Sequence, residues 1–283
     1  MTASLVQSRL TGGMARKSST SYEAWFIANY GRAIYETFVK EPTEKIWGVA
    51  STLSADLANR RVTQASLLEN LKRIFLRQKI DRVTKADHFF YPKYGCQVFV
   101  DRLAERTTQA NGRILNKTSV DKIETSNGRA CAVRLSNGET IALNEHDVVI
   151  STIPKQYLLD ALDQHVPGEV DYALQMLRER NLLLVYIMLD QDKLMDDNWI
   201  FFPERTFLFT RISEMKNCSP YMAPEGKTFL CCEMTCHSDQ TFSPQGLEYI
   251  IDHMIGSLHQ AGIIDRAKVC DRTSVFLEHA YPL

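Results

Sequence analysis

The residues best equipped for chemistry in this chain are its cysteines, a few arginines and several aromatic side chains. Cys231, Cys232, Cys236 and His237 stand close enough to suggest a metal cluster. They fall in KTFLCCEMTC, which reads as a strand, and strand neighbours point to opposite faces, so Cys231 and Cys232 do not readily share one ion. Buried small hydrophobes are the better reading. Arg211, in the strand-like FTRISE, presents a planar fork suited to a substrate carboxylate. The competing role for it is a structural pair with Glu214 or Glu233. The sequence contains no Walker loop, HExxH, GxSxG or CxxC. Its one glycine-rich scrap, Thr11-Gly12-Gly13, follows no strand and lacks the three-glycine dinucleotide pattern.

Bulk properties narrow the class. The chain has 283 residues, 45% hydrophobic and 24% charged, which is enough to bury a core and to form two modest domains. A formal net charge of −1 gives no basic field to recruit nucleic acid or anionic lipid. No apolar run reaches the roughly eighteen residues of a membrane-spanning helix. Seven irregularly spaced cysteines point to reduced thiols in an intracellular, cytoplasmic setting. The opening segment carries Arg9, Arg16 and Lys17 among Ser and Thr, a faint organelle-targeting composition beside the plainer reading of a disordered tail.

The elements that must position these residues form a mixed pattern. Ser21 offers an N-cap, and Trp25, Phe26, Ala28, Ile34, Tyr35 and Phe38 recur near helical spacing up to a stop at Pro42. A second amphipathic stretch covers about 64–78, followed by a charged run. FFYPKYG reads as an extended piece with a turn, and 96–111 as a helix carrying Phe99, Leu103 and Ala104. Asn127-Gly128 and Asn137-Gly138 are hairpin signals inside a β-meander. The meander closes in DVVISTIP, Asp147 to Pro154, which reads as a strand buried on both faces running into a proline-initiated helix. Two short helices follow, then the apolar strand NLLLVYIMLD, then WIFF, FLFTRI and TFLCCEM. A helix over about 244–261 capped by Gly262, and a last strand over 273–281, complete the pattern.

Read along the chain, certain segments resemble a known superfamily. NYGRAIYETFVKEPTEKIWG followed by LSADLANRRV is similar to a segment of protoporphyrinogen oxidase and UDP-galactopyranose mutase relatives. Tyr91-Pro92 with Gly95, then Val120 with Ile123, then Asp147 to Pro154, keep the order those families show. WIFFPERTFLFTRISEMKNCSPYMAPEGKTFLCCEMTC and the terminal AYP continue the match, which covers nearly everything from Ser21 to Pro282. The chain thus resembles the middle portion of a flavin amine oxidase and protoporphyrinogen oxidase-like FAD-dependent oxidoreductase.

That resemblance implies an α/β (α+β) two-domain flavoprotein fold and FAD as cofactor. It places Val120 against the adenine and the small residues Ser151, Thr152, Ile153 and Pro154 beside the FAD. It places Trp47, Gly48, Tyr94, Gly95 and Arg211 toward a substrate, with Tyr94 and Cys96 departing from the relatives' pattern. Implied boundaries are a tail over 1–18, helical substrate domain over 19–88, part of the FAD-binding domain over 89–156, and substrate domain over 157–283. The relatives' GxGxxG unit and their flavin-covering terminal segment have no counterpart here, so an internal fragment with exposed apolar faces is expected. The implied activity is hydride transfer from a C–N or C–C bond to flavin. The alternatives are a mutase-like non-redox flavoenzyme, with Arg60, Arg61 and Arg178 as diphosphate ligands, and a non-catalytic remnant.

Overall fold

The computed structural model describes residues 20–61, 89–164 and 166–282. These fall into two compact units. One comprises 20–61, 89–95 and 180–278, and the other 96–179 and 279–282. The expected tail over 1–18, the amphipathic stretch at 64–78 and the charged run after it lie outside the described residues.

In the first unit, helix α1 (Tyr22–Tyr30) starts where the Ser21 hydroxyl accepts from the Ala24 amide at 3.2 Å. It ends at Gly31, whose φ of 86° most side chains avoid. A helical turn, Arg32–Ile34, and a π-helical stretch, Tyr35–Val39, lead into α2 (Lys40–Trp47). Pro42 therefore sits in the first turn of a helix instead of stopping one. Proline is tolerated there because the amide it lacks has no intrahelical acceptor. Helix α3 (Ala55–Arg61) completes a small core of Tyr22, Trp25, Phe26, Tyr35, Leu53 and three alanines.

The same unit contains a five-stranded sheet ordered β5-β6-β7-β4-β8. Its strands are β4 (Glu179–Leu189), β5 (Trp199–Phe201), β6 (Arg211–Glu214), β7 (Thr228–His237) and β8 (Val269–Pro282). Residues 279–282 of β8 cluster with the second unit. β4 and β7 pair antiparallel over ten residues, from Arg180↔His237 to Leu189↔Thr228. Strand alternation sends Leu183, Val185, Ile187 and Leu189 of β4 and Leu230, Cys232, Met234 and Cys236 of β7 to one face. There they meet Ile251, Met254, Ile255 and Leu258 of the long helix, Pro244–Gln260. Full burial of each such side chain contributes about 1.5–3 kcal/mol, so this layer anchors the unit.

The second unit begins with α4 (Gln97–Gln109) and continues as an antiparallel meander. Its strands are β1 (Val120–Ser126), β2 (Arg129–Leu135) and β3 (Thr140–Ala142). Both Asn-Gly signals form turns: Asn127 and Gly128 take φ of 52° and 74°, and Gly138 takes 86°. Helices α5 (Lys155–Ala161) and α6 (Gly168–Gln175) follow, which makes the 244–260 helix α7. Leu162, just past α5, bridges Ile123 in parallel.

One expectation fails in this unit. The run 147–153 belongs to no strand, and Val148 and Ile150 are 80% and 83% exposed. A doubly buried strand needs a sheet neighbour, and among the described residues none pairs with it. The apolar side of α4 is likewise uncovered, with Phe99 62% and Leu103 65% exposed.

Candidate functional site

The sheet face opposite α7 carries the side chains that alternation turns away from the core. Two cross-strand rows run over it. Phe201, Arg211, Glu233 and Leu184 form one, and Trp199, Ser213, Cys231 and Tyr186 the other. Directly opposed strand residues sit about 5 Å apart, so each row is a line of touching side chains. Arg211 pairs with Glu233, its Nε and Nη2 donating to Oε1 at 2.8 and 2.5 Å, and its guanidinium lies 5.8 Å from the Phe201 ring centre. Glu214, the other partner considered, points to the opposite face and is fully buried. Arg211 is thus internally neutralised, and apart from Glu233 the other residues of the two rows carry no charge.

The C-terminal end of α2 borders this face. Thr235, two positions past Glu233 on the same side of β7, donates to the Lys45 carbonyl at 2.8 Å. Arg180 Nε donates to the Ile46 carbonyl at 3.3 Å. The Lys45 ammonium in turn donates to the carbonyls of Phe202, Glu204 and Phe209 at 2.6, 2.8 and 2.7 Å, pinning the loop between β5 and β6. Burial pushes this ammonium down to about 8, while Glu204 and Glu41 pull it back up. The three carbonyls favour the charged form, so Lys45 remains a cation at neutral pH. Beside it Pro42, Ile46, Phe201, Phe202, Pro203 and Thr210 line an apolar slot of about 250 Å³.

Trp47 and Gly48 occupy the end of α2. Trp47 packs on the small helical core. Gly48 is the helix C-cap, with φ 94° and its amide bonded to the Glu44 carbonyl at 3.1 Å. Tyr94 and Gly95 belong to a different cluster. The Tyr94 and Tyr221 rings meet edge to face at 5.5 Å, and Lys93 lies 3.9 Å from the Tyr221 ring centre. A Cβ on Gly95 would come within 3.2 Å of the Met222 sulfur. So the expected substrate residues divide into Arg211 on the sheet face, Trp47 and Gly48 at its border, and the Tyr94 cluster.

In the second unit Val120 is the first residue of β1, on the outer edge of the meander, and is 42% exposed. Ser151, Thr152 and Ile153 are exposed, and the backbone groups of 148–153 have no backbone partner among the described residues. Pro154 caps α5 without a side-chain bond. Small side chains and open main-chain groups suit flat contact with a ring and hydrogen bonds from the backbone. None of these residues carries a charge to meet a phosphate. Arg178 is exposed in this unit, and the side chains of Arg60 and Arg61 lie outside the described residues.

Trp199, Phe201 and Tyr186 of the sheet face, and the clamp Lys45 beside it, escaped sequence reading. Alternation in WIFF and TFLCCEM assigns faces within each strand, but the sequence does not say which strands are neighbours. Burial pushes the Cys231 thiol up to about 11, which leaves it a neutral packing group beside Tyr186.

No family model matches the chain. Among solved structures, reduced UDP-galactopyranose mutase superposes with a TM-score of 0.79 at 19% identity, covering 99% of this chain and 59% of that one. A protein assigned as a protoporphyrinogen oxidase from Exiguobacterium sp. 255-15 gives 0.65 at 17% identity, with 98% and 59% covered. Putrescine oxidase bound to putrescine gives 0.58 at 12% identity, with 96% and 59% covered. The chain therefore spans about three-fifths of the length of the structures it matches. Over that portion the chain shares the α+β fold of these structures.

Proposed function

We propose that this chain supplies the substrate-binding sheet and part of the cofactor cradle of an FAD-dependent oxidoreductase acting on an uncharged, largely apolar small molecule. The observation that carries this reading is the sheet face itself. Its cation Arg211 is held by Glu233, and its neighbours are Phe201, Trp199, Tyr186 and Cys231. When bound, FAD supplies the hydride acceptor for a C–N or C–C bond. The chain's own part is to stack and orient the substrate on the aromatic rows and to exclude water from the reacting bond. Val120 and Ser151–Pro154 fit the cofactor through close main-chain approach, Val120 toward the adenine. Trp47, Gly48, Tyr94 and Gly95 border the substrate region in this reading.

A mutase-like flavoenzyme is the second reading, favoured by the higher superposition score of UDP-galactopyranose mutase. A nucleotide diphosphate needs free cations, and Arg211 is already neutralised. Anaerobic flavin bleaching separates the two. Reduction of protein-bound FAD by amines or saturated ring compounds, slowed by Phe201→Ala, supports the oxidoreductase. Inertness toward all of them, with turnover of a UDP-sugar by the reduced protein, overturns it in favour of the mutase.

A further inference from the structure

The second unit holds a polar chain that the flavin reading leaves unused. The Tyr157 hydroxyl of α5 lies 2.6 Å from His279 Nε2, and His279 Nδ1 is hydrogen-bonded to Glu179 Oε2 at the head of β4. The two rings stand edge to face, 5.1 Å between centres. A carboxylate only accepts, so Nδ1 must carry a proton. In the neutral ring Nε2 is then the acceptor, and the phenol donates to it. This is the arrangement of an activated oxygen: a carboxylate fixes the tautomer, the imidazole accepts, and the hydroxyl belongs to a half-exposed residue.

Exposure runs the same way. The side chains of Glu179 and His279 are 27% and 31% exposed, whereas Tyr157 is 48% exposed. His279 also takes φ 55°, a left-handed conformation uncommon for a residue with a side chain. Such outliers persist where the surroundings hold them and concentrate at working sites. The three residues come from α5, β4 and the end of β8, distant in sequence, and no spacing motif would have joined them.

We propose that Tyr157, His279 and Glu179 form a proton relay whose working end is the Tyr157 oxygen, serving a small molecule that presents a weakly acidic hydroxyl. The ligand O–H proton passes to Tyr157 Oη as the phenol proton passes to His279 Nε2. The products are the ligand oxyanion and an imidazolium paired with the Glu179 carboxylate, and no electrons change hands. The same geometry activates Tyr157 as a nucleophile, and an arylsulfonyl fluoride reads this directly. The phenol oxygen bonds to sulfur, fluoride leaves, and His279 takes the proton.

The test is labelling of the full chain with an arylsulfonyl fluoride, quantified tyrosine by tyrosine by peptide mass spectrometry. Tyr172 and Tyr249, 66% and 71% exposed, are the internal references. Tyr157 should label on the order of tenfold faster than either, below the hundred- to ten-thousand-fold reach of a positioned general base. His279→Ala should bring Tyr157 down to the reference rate, with added imidazole restoring part of the difference. Glu179→Gln, the milder change if His279→Ala does not fold, should give an intermediate rate. Circular dichroism confirms that each variant is folded. Tyr157 labelling no faster than Tyr172, or unchanged in a folded His279→Ala or Glu179→Gln variant, overturns the proposal.

Discussion

Glu214 is a buried carboxylate whose replacement has a calculable cost. It is fully covered, and each oxygen serves two donors. Oε1 accepts from the Leu194 amide at 2.9 Å and the Thr228 hydroxyl at 2.7 Å. Oε2 accepts from the Met195 amide at 2.8 Å and Asn217 Nδ2 at 3.3 Å. Glu214→Gln turns one acceptor oxygen into a donor NH2 with no change of shape. The best orientation places the NH2 at the Oε1 position, where the Thr228 hydroxyl can rotate and accept. The Leu194 amide then faces another donor and is left unsatisfied, and the remaining bonds lose their ionic assistance. One orphaned buried donor costs about 1–3 kcal/mol, so the substitution should cost about 2–3 kcal/mol. Glu214→Ala orphans the whole set and opens a cavity, so about 4–5 kcal/mol is expected. Urea denaturation followed by circular dichroism measures both. A loss below about 0.5 kcal/mol for Glu214→Gln, the scatter of ordinary surface changes, would refute the reasoning.

Other outcomes follow from single positions. Gly95→Ala should cost more than Gly48→Ala although both glycines have positive φ, because only at Gly95 does the new Cβ meet a neighbour, the Met222 sulfur. Thermal melts should order them, with about 1–3 kcal/mol for Gly48→Ala from backbone strain alone, since φ 94° with ψ −164° suits essentially only glycine. The folded Cys231 thiol keeps its proton up to about 11 against an ordinary 9.0, so the unfolded chain releases that proton first. Stability should fall as pH rises through that window, by at most about 1.4 kcal/mol per pH unit for this group, and less steeply in Cys231→Ala. Iodoacetamide at pH 8 should modify exposed Cys96 and Cys270 well before buried Cys231, Cys232 and Cys236.

Local chemistry was legible in the sequence wherever it acts over a few residues. The Asn-Gly turns, the Ser21 cap, the β4 and β7 strands and the α7 stop at Gly262 all sit where turn and cap rules place them. Pro42 misled because proline breaks a helix interior but is at home in a first turn, and the start of α2 at Lys40 is set by the preceding π-helical stretch. DVVISTIP misled because apolar composition reports what a segment prefers to bury, whereas burial itself needs a neighbour. Arg211 was found by residue type, but its partner was decided by register. Glu233 is its cross-strand neighbour, and Glu214 three residues on points to the other face. Lys45 and the Tyr157–His279–Glu179 chain could not be read, since their partners lie a hundred residues or more away.

Whether the chain contributes to a flavin site can be read from the visible spectrum of the purified protein. After reconstitution with FAD and desalting, flavin bands should stay with the protein and weaken in Val120→Asp, which puts a charge at the proposed adenine contact. A folded protein that stays colourless after reconstitution, or one whose flavin is indifferent to Val120→Asp and to Ser151→Trp, would contradict it.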